Sequence, residues 1–506
     1  MSTALQQGLQ RFYGYERFRT GQEEILESVM QNRHTLGVLP TGTGKSVCYQ
    51  LPAFMRGGQV IVVSPLLSLM EDQVKQLRAR GFKRVAALNS FLGFEEKQQI
   101  LRKLQHYDLL YVSPEMLQNE FVIQRLQQLH IQLFVVDEAH CISQWGQEFR
   151  TDYLRLAEVI RTLDNPPVLA LTGTATPEVQ ADIQHLLGDL EMDEHIYPMD
   201  RENIAYFVRE VQDQQEKNET MLALLKKIQE PAIIYFSSRT MAESTAAIIR
   251  ANLPELACAY YHGGMENEDR ILIQQQFLAG QLQVICCTSA FGMGVDKEDV
   301  RLIIHYHLPS DKESFIQEVG RAGRDGGESV SVVLYSPGDW QIPVHLIEQD
   351  LPEKVSIQQL LRFLYQRVKA GHTELPAYEL LIQHIPISET QWRFLLYQME
   401  KHDIVKGNHL QYGAKAWKDF LDSIEKFVEG RRKHKLVQLQ RMKEWVYTGT
   451  CRRQALFADF QHEVSQAKGR CCDNCGDTLT DWQASSAKTQ PNRTGWREQL
   501  QHLLYQ

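Results

Sequence analysis

Lys45 and Ser46 close the run LGVLPTGTGKSVCYQ, in which Thr41, Gly42, Thr43 and Gly44 stand between an apolar stretch and the start of a helical pattern. Glycines there let backbone amides turn inward on phosphate oxygens, and the following helix adds the positive end of its dipole. Lys45 is placed to reach β- and γ-phosphates, and the Ser46 hydroxyl to ligate Mg²⁺. The strict phosphate-loop pattern has a glycine five places before Gly44, where this chain has Leu39. Further along, Asp137 and Glu138 follow the apolar run LFVV. Two adjacent carboxylates at the end of a buried strand are costly unless a cation compensates them. Asp137 therefore fits a Mg²⁺ partner, and Glu138 the group that orients or deprotonates an attacking water. A strand end merely capped by acids is the bland alternative, and the upstream phosphate loop weighs against it.

A second constellation is FIQEVGRAGRDG, which carries Arg321 and Arg324 three apart. On a helix they would share one face. An arginine reaching from one domain to the γ-phosphate held by another would make hydrolysis depend on closure. Read alone, the segment is equally a glycine-rich surface turn. A third is the cluster Cys451, Cys471, Cys472 and Cys475; the remaining cysteines (Cys48, Cys141, Cys258, Cys286 and Cys287) sit in apolar or strand-like runs and read as buried small hydrophobes.

The elements that must position these groups are written in the apolar runs. QVIVVSP, DLLYVSPE, LFVVDEAH and PVLALTGTAT form one series; AIIYFSS, LACAYYHGG, LQVICCTSA, VRLIIHYHLP and SVSVVLYS form another. Amphipathic stretches such as SLMEDQVKQLRARG and RILIQQQFLAG lie between them. Continuous apolar strands alternating with helices predict parallel sheets covered on both faces. Two series imply two α/β domains, with the changeover between Asp193 and Asn203. At 506 residues the chain is too long for one core. No stretch approaches the ~20 apolar residues needed to span a bilayer, and the amino-terminal residues lack the apolar core of a secretory signal. A cytoplasmic protein with reduced thiols is expected. The net charge of −9 argues mildly against nucleic acid, yet phosphate contacts are local. Between Lys426 and Arg453 nine cations face only Glu429 and Glu444, either a solvated helix face or a basic contact surface.

Together these motifs resemble a superfamily 2 helicase, and specifically the RecQ family in its short bacterial form. The likeness runs through GYERFRTGQ, the phosphate loop in its PTGxGKS helicase form, SPLLSLMEDQ, DEAH, LTGTAT, YHGGM, TSAFGMGVDK and QEVGRAGRDG, covering about residues 9–340. It implies that Tyr15, Arg19 and Gln22 contact the nucleotide, with Gln22 recognising adenine. It also implies that Lys45 and Ser46 bind triphosphate and Mg²⁺ and that Glu138 is the catalytic base. Gln317, Arg321 and Arg324 then act in catalysis, Arg324 as the arginine finger. The segment after DEAH, CISQWGQEFRTDY, resembles the family's aromatic-rich loop, in which Trp145, Phe149 and Arg150 would contact single-stranded DNA by stacking and pairing. The family has histidine and aspartate where this chain has Gln147 and Glu148, which bears on how strongly DNA couples to the ATPase.

The four clustered cysteines resemble the family's zinc-binding segment, and four thiolates with no open position describe a closed structural zinc. The interval between Arg324 and Cys451 is much longer than the family's. VSIQQLLRFLYQRVKAG, AYELLIQHIP and SETQWRFLLYQMEKHDIVKGNHLQYG predict three helices and a hairpin, the pattern of a winged helix. The expected architecture is α/β: two tandem RecA-like parallel-sheet motor domains (1–198 and 199–340), a winged-helix-like module (341–414), a helical zinc-binding domain (415–480) and a polar tail (481–506). In the tail Trp496, Leu500, Leu503 and Leu504 are spaced like a short amphipathic helix. The resemblance implies a monomeric, nucleoid-associated DNA helicase using ATP, Mg²⁺ and Zn²⁺, moving 3′ to 5′ on single-stranded and forked or tailed duplex DNA in repair, recombination or replication restart. A single-stranded-DNA-binding protein is a candidate partner. Two alternatives stay open: an RNA helicase of the DEAH type, and a nucleotide-gated DNA clamp that does not unwind.

Overall fold

The computed structural model describes residues 2–65, 67–143, 151–292, 297–461, 464–480 and 482. The first apolar series forms β2 (Gln59–Val63), β4 (Leu109–Val112), β5 (Ile131–Asp137) and β6 (Val168–Thr172); the apolar stretch before the phosphate loop forms β1 (Thr35–Val38), and β3 (Val85–Leu88) and the edge strand β7 (Asp193–Ile196) lie outside that series. They lie in the order β3-β4-β2-β5-β6-β1-β7, every pairing parallel. The second sheet has β8 (Ile204–Glu210), which lies outside the second series, and the five strands that series forms: β9 (Ala232–Tyr235), β10 (Cys258–Tyr261), β11 (Val284–Cys287), β12 (Leu302–His305) and β13 (Ser329–Tyr335). Their order is β10-β11-β9-β12-β13-β8, again parallel throughout. β1, β4, β6, β9, β11, β12 and β13 are buried along their whole length, as strands covered on both faces must be. These are two RecA-like motor domains joined through residues 197–203.

In such sheets ligands gather at the carboxyl ends of strands. β1 runs into the phosphate loop, β5 into Asp137–Glu138 and β6 into Gly173–Thr176. Because β5, β6 and β1 are consecutive neighbours, three motifs distant in sequence emerge side by side. The helix Pro177–Leu186 behind them starts cleanly: Thr176 caps it by accepting from the Val179 amide, and Pro177 sits where no amide is needed.

Past the motor lie the helices Lys354–Lys369, Tyr378–Leu381 and Glu389–Lys401 and a two-stranded antiparallel hairpin, β14 (Val405–Lys406) and β15 (His409–Leu410). They enclose a separate apolar core that includes Leu364, Leu381, Trp392 and Phe420. The helix Ala414–Val446 leaves that core and, at 1.5 Å per residue, runs about 50 Å. Its far end places Met442, Trp445 and Val446 in the core of the second motor domain, where the Trp445 and Phe315 rings lie 4.8 Å apart. Among the described residues no helix is long and apolar enough to cross a membrane.

Three expectations change. Helix Lys312–Val319 stops before the arginines, so Arg321 and Arg324 share no helix face. Gly323, at φ +55°, turns the chain out of helical geometry between them. The basic run is not one uniform face: Lys426, Lys433 and Arg441 are exposed, and others of its cations are not. Arg431, Arg452 and Arg453 are buried; Arg452 is paired with Asp473, Arg453 with Asp200 and Lys435 with Asp350, and Lys443 lies over the Trp340 ring. Finally, the segment AYELLIQHIP contributes a single helical turn, Tyr378–Leu381.

Candidate functional site

Gly42 and Gly44 adopt φ of +86° and +74°, left-handed conformations that a side chain resists. The phosphate loop they shape is held from the amino-terminal motif. The Gln22 amide donates to the carbonyls of Thr43 and Gly44 at 2.7 and 3.0 Å, and its oxygen accepts from the Arg19 amide at 2.9 Å. Arg19 donates to the Gly42 carbonyl at 2.6 Å. Gln22 is buried while Tyr15 is half exposed, its ring stacked on Tyr13. A base bound at Gln22 is thus one side chain away from the backbone that would cradle its phosphates. Ser46 immediately precedes helix Val47–Met55, and the Thr43 hydroxyl donates to the Pro40 carbonyl at 2.8 Å.

The Lys45 ammonium lies beside Gly173: a Cβ on that glycine would stand 3.0 Å from Nζ. On the neighbouring strand Asp137 is buried, and burial first, then the adjacent Glu138 carboxylate, push its carboxyl above the ordinary range while Lys45 opposes them. Glu138 sits at φ +49° and ψ +50°. Among the described residues its Oε2 makes no hydrogen bond, and it lies 3.5 Å from His140 Nδ1. His140 Nδ1 is 2.9 Å from the Thr172 hydroxyl, which donates to the Thr174 carbonyl at 2.9 Å. That bond fills the hydroxyl's donor role, so His140 must be the donor to Thr172. DEAH and LTGTAT are thereby one hydrogen-bonded unit.

The two arginines of the second domain part company. Arg321 turns inward, donating to the Gly292 carbonyl, and is buried. Arg324 crosses the cleft: a Cβ on Gly42 would meet Arg324 Cγ at 3.0 Å. Gln317 is buried in the helix that precedes them. Lys45, Asp137, Glu138 and Arg324 therefore converge around one loop, while Arg321 lies behind it on the Gly292 carbonyl. Sequence reading missed Arg201, whose guanidinium donates to the Thr41 carbonyl at 3.1 Å and to the Gly323 carbonyl at 2.6 Å. Its only sequence signal was its place in the changeover segment. Trp145, Phe149 and Arg150 lie outside the described residues.

Far from the cleft, the Sγ atoms of Cys451, Cys471, Cys472 and Cys475 all lie within 4.8 Å of one another. Cys451 and Cys471 are 3.6 Å apart, and Cys472 and Cys475 are 3.4 Å apart. A tetrahedron with metal–sulfur bonds of about 2.3 Å has edges of about 3.8 Å, so the set fits a four-thiolate ion. Its backbone is fixed in advance. Asp477 accepts from the amides of Cys471 and Cys472 at 2.7 and 3.2 Å, and Asn474 donates to the Thr448 and Thr450 carbonyls at 2.7 and 2.8 Å.

Two family models match: DEAD/DEAH box helicase over residues 19–183 and helicase conserved C-terminal domain over 216–326. The chain is 42% identical over 505 residues to a probable ATP-dependent DNA helicase, RecS, of Bacillus subtilis, covering 99% of this chain and 98% of that one. It is 33% identical to the ATP-dependent DNA helicase RecQ of Synechocystis, covering 93% and 98%. Against RecQ of Bacillus subtilis it is 40% identical over 371 residues, 72% of this chain and 62% of the relative. Among solved structures, the DEAD-box helicase Mss116 bound to single-stranded RNA superposes with a TM-score of 0.58 at 15% identity, over 91% of this chain and 90% of that one. The Mycobacterium smegmatis helicase Lhr bound to single-stranded DNA gives 0.56 at 19%, over 87% and 58%; both likenesses are of fold.

Proposed function

The chain belongs to the RecQ-type ATP-dependent DNA helicases, and from that premise we propose that it tracks 3′ to 5′ along single-stranded DNA and unwinds tailed or forked duplexes by cycles of domain closure. The observation that carries this reading is Arg324 of the second motor domain resting on Gly42 in the phosphate loop of the first. Hydrolysis then needs both domains together, as a motor requires. In the proposed mechanism Gln22 selects adenine, with Tyr15 and Arg19 beside it. The amides of Thr41 to Gly44 and the Lys45 ammonium hold the β- and γ-phosphates. Glu138 accepts a proton from the attacking water, and Arg324 stabilises charge growing on the γ-phosphate. Ser46 and Asp137 would hold a Mg²⁺, which would supply charge neutralisation on the triphosphate; the buried Asp137 carboxyl, raised by burial and by Glu138, suits a compensating cation. Gln317 and Arg321 position the arginine loop, Arg321 through the Gly292 carbonyl.

Trp145, Phe149 and Arg150 are assigned to the DNA strand, because they follow the acidic pair within a dozen residues in sequence, in the segment that resembles the family's aromatic-rich loop. The four cysteines are assigned a structural Zn²⁺. Residues 1–198 and 199–340 act as the motor, 341–414 as a winged-helix-like module and 415–480 as the zinc-binding brace, leaving 481–506 as a tail. A monomer working in the cytoplasm on nucleoid DNA, with single-stranded-DNA-binding protein as a partner, is the simplest setting.

Strand displacement on 3′-tailed and 5′-tailed DNA duplexes and on a tailed RNA duplex tests this reading. The wild-type chain should release strands from the 3′-tailed DNA alone, and Lys45→Ala should release none. DNA-stimulated hydrolysis without release from any substrate would leave a clamp in place of a helicase, and equal release from RNA would favour the RNA enzyme.

A further inference from the structure

Arg201 occupies the segment between the motor domains, and its guanidinium touches both. Toward the first domain it donates to the Thr41 carbonyl at 3.1 Å. Toward the second it donates to the carbonyls of Gly320, Ala322 and Gly323 at 3.3, 3.4 and 2.6 Å. Those three carbonyls are the backbone of the turn that delivers Arg324. The fork of an arginine can span several acceptors on one loop and a further one opposite; a lysine cannot.

The base of this side chain is immobilised. Arg453, from the four-cysteine region, pairs with Asp200 at 2.5 Å, both side chains almost wholly buried, and donates to the Arg201 carbonyl at 3.0 Å. On the other side Asn203 donates to the Gly323 and Gly327 carbonyls at 2.8 and 2.7 Å. Residues 200–203 and the arginine turn therefore move as one piece with the second domain. The bond to Thr41 is the one that must break when the domains part.

The charges around Gly42 give that bond a further meaning. Arg19 donates to its carbonyl, and a Cβ on Gly42 would meet Arg324 Cγ at 3.0 Å and an Arg201 guanidinium nitrogen at 3.2 Å. Three guanidinium groups thus converge on the loop that receives a triphosphate. Burial first, then the Arg324 charge, lower the affinity of Arg201 for its proton, the electrostatic sign of a cation brought close to others. An anion placed among them relieves the repulsion, and losing the γ-phosphate restores part of it.

We propose that Arg201 is a positioning residue for ATP hydrolysis: it docks the Arg324 turn onto the phosphate loop while a γ-phosphate is present, and lets the domains separate after cleavage. The proposal rests on the helicase reading, because it assumes that closure and cleavage are coupled. It predicts a transition-state effect with little change in ground-state binding. In the full-length chain, Arg201→Ala should lower kcat for DNA-stimulated hydrolysis about tenfold or more while KM for ATP stays within about threefold. Binding of ADP with aluminium fluoride should weaken by about the same factor, and binding of ADP alone should hardly change. Arg201→Lys should recover only part of the loss. Combining Arg201→Ala with Arg324→Ala should cost little more than Arg324→Ala alone, because one acts through the other. Additive losses in the double variant, equal weakening of ADP and ADP–aluminium fluoride, or a wild-type kcat in the folded Arg201→Lys and Arg201→Ala chains would each overturn the proposal. Absence of nucleotide hydrolysis in the wild-type chain would sink the helicase reading instead, so the two failures are distinguishable.

Discussion

Glu138 holds a left-handed backbone at φ +49°, a conformation that costs a non-glycine residue of order 1–3 kcal/mol. Neighbouring bonds keep it there: its amide donates to Asp137 Oδ1 at 3.1 Å, and its carbonyl accepts from the Cys141 amide at 2.9 Å. The turn ends the strand and leaves the carboxylate beside His140, with Oε2 free of hydrogen bonds among the described residues, as the proposed base requires. Glu138→Gln keeps the shape and removes the basicity. Hydrolysis should fall about 100- to 10,000-fold while ATP binding, followed by equilibrium fluorescence titration, is retained. Cleavage at the wild-type rate would assign the proton to another group. Residues of this kind were legible in the sequence because the chemistry needs a charged type just past an apolar strand. Arg201 was not legible, since its partners are main-chain carbonyls on two remote segments and no spacing encodes them.

At the scale of elements, the apolar runs predicted most of the strands, though not β3, β7 or β8, and the parallel sheets followed from their being buried on both faces. The arginine segment is where pattern reading gave the wrong geometry. QEVGRAGRDG has helical spacing in its charges, but its glycines make a turn in which Gly323 takes φ +55°. A Cβ at Gly323 would lie 2.4 Å from Asn203 Nδ2 and 2.5 Å from the Gly327 carbonyl oxygen. Backbone cannot yield there without moving Arg324. Gly323→Ala should therefore cost about 1–3 kcal/mol locally and reduce hydrolysis about tenfold or more, because the finger is displaced from its target. Thermal unfolding and steady-state ATPase measured on one preparation check this; an unchanged rate would mean that the turn tolerates a shift and that Arg324 does not act at the phosphate. The basic run was legible only in part, for a different reason. Net charge in sequence says nothing of burial, and Arg452 and Arg453 are consumed by Asp473 and Asp200.

For the whole molecule, the carboxyl-terminal region is built into the motor. The helix Ala414–Val446 carries the core around Trp392 and Phe420 at one end and packs Trp445 against Phe315 at the other. The four-cysteine cluster follows directly, and its chain returns to the second sheet: the Tyr206 amide donates to the Cys471 carbonyl at 3.0 Å, and the Cys451 end of the cluster sends Arg453 to Asp200. If the four thiolates hold zinc as proposed, losing one would leave an incomplete shell, and folding energy coupled to the metal would be lost with it. Cys475→Ser should accordingly bring zinc, read by metal analysis, from one per chain to well below that. Breaking a buried pair by loss of one partner costs about 3–5 kcal/mol, so slackening of Arg453 against Asp200 should also appear as a lower melting temperature. The phosphate loop and Asp137–Glu138 lie on the other sheet, so the equilibrium affinity for ATP should stay within about twofold, whereas DNA-stimulated hydrolysis and strand release should drop by about tenfold, because closure is set through residues 200–203. A folded Cys475→Ser chain with full zinc content and full unwinding would refute the four-thiolate assignment. Loss of zinc with unwinding intact would show instead that the brace carries stability and no part of the coupling.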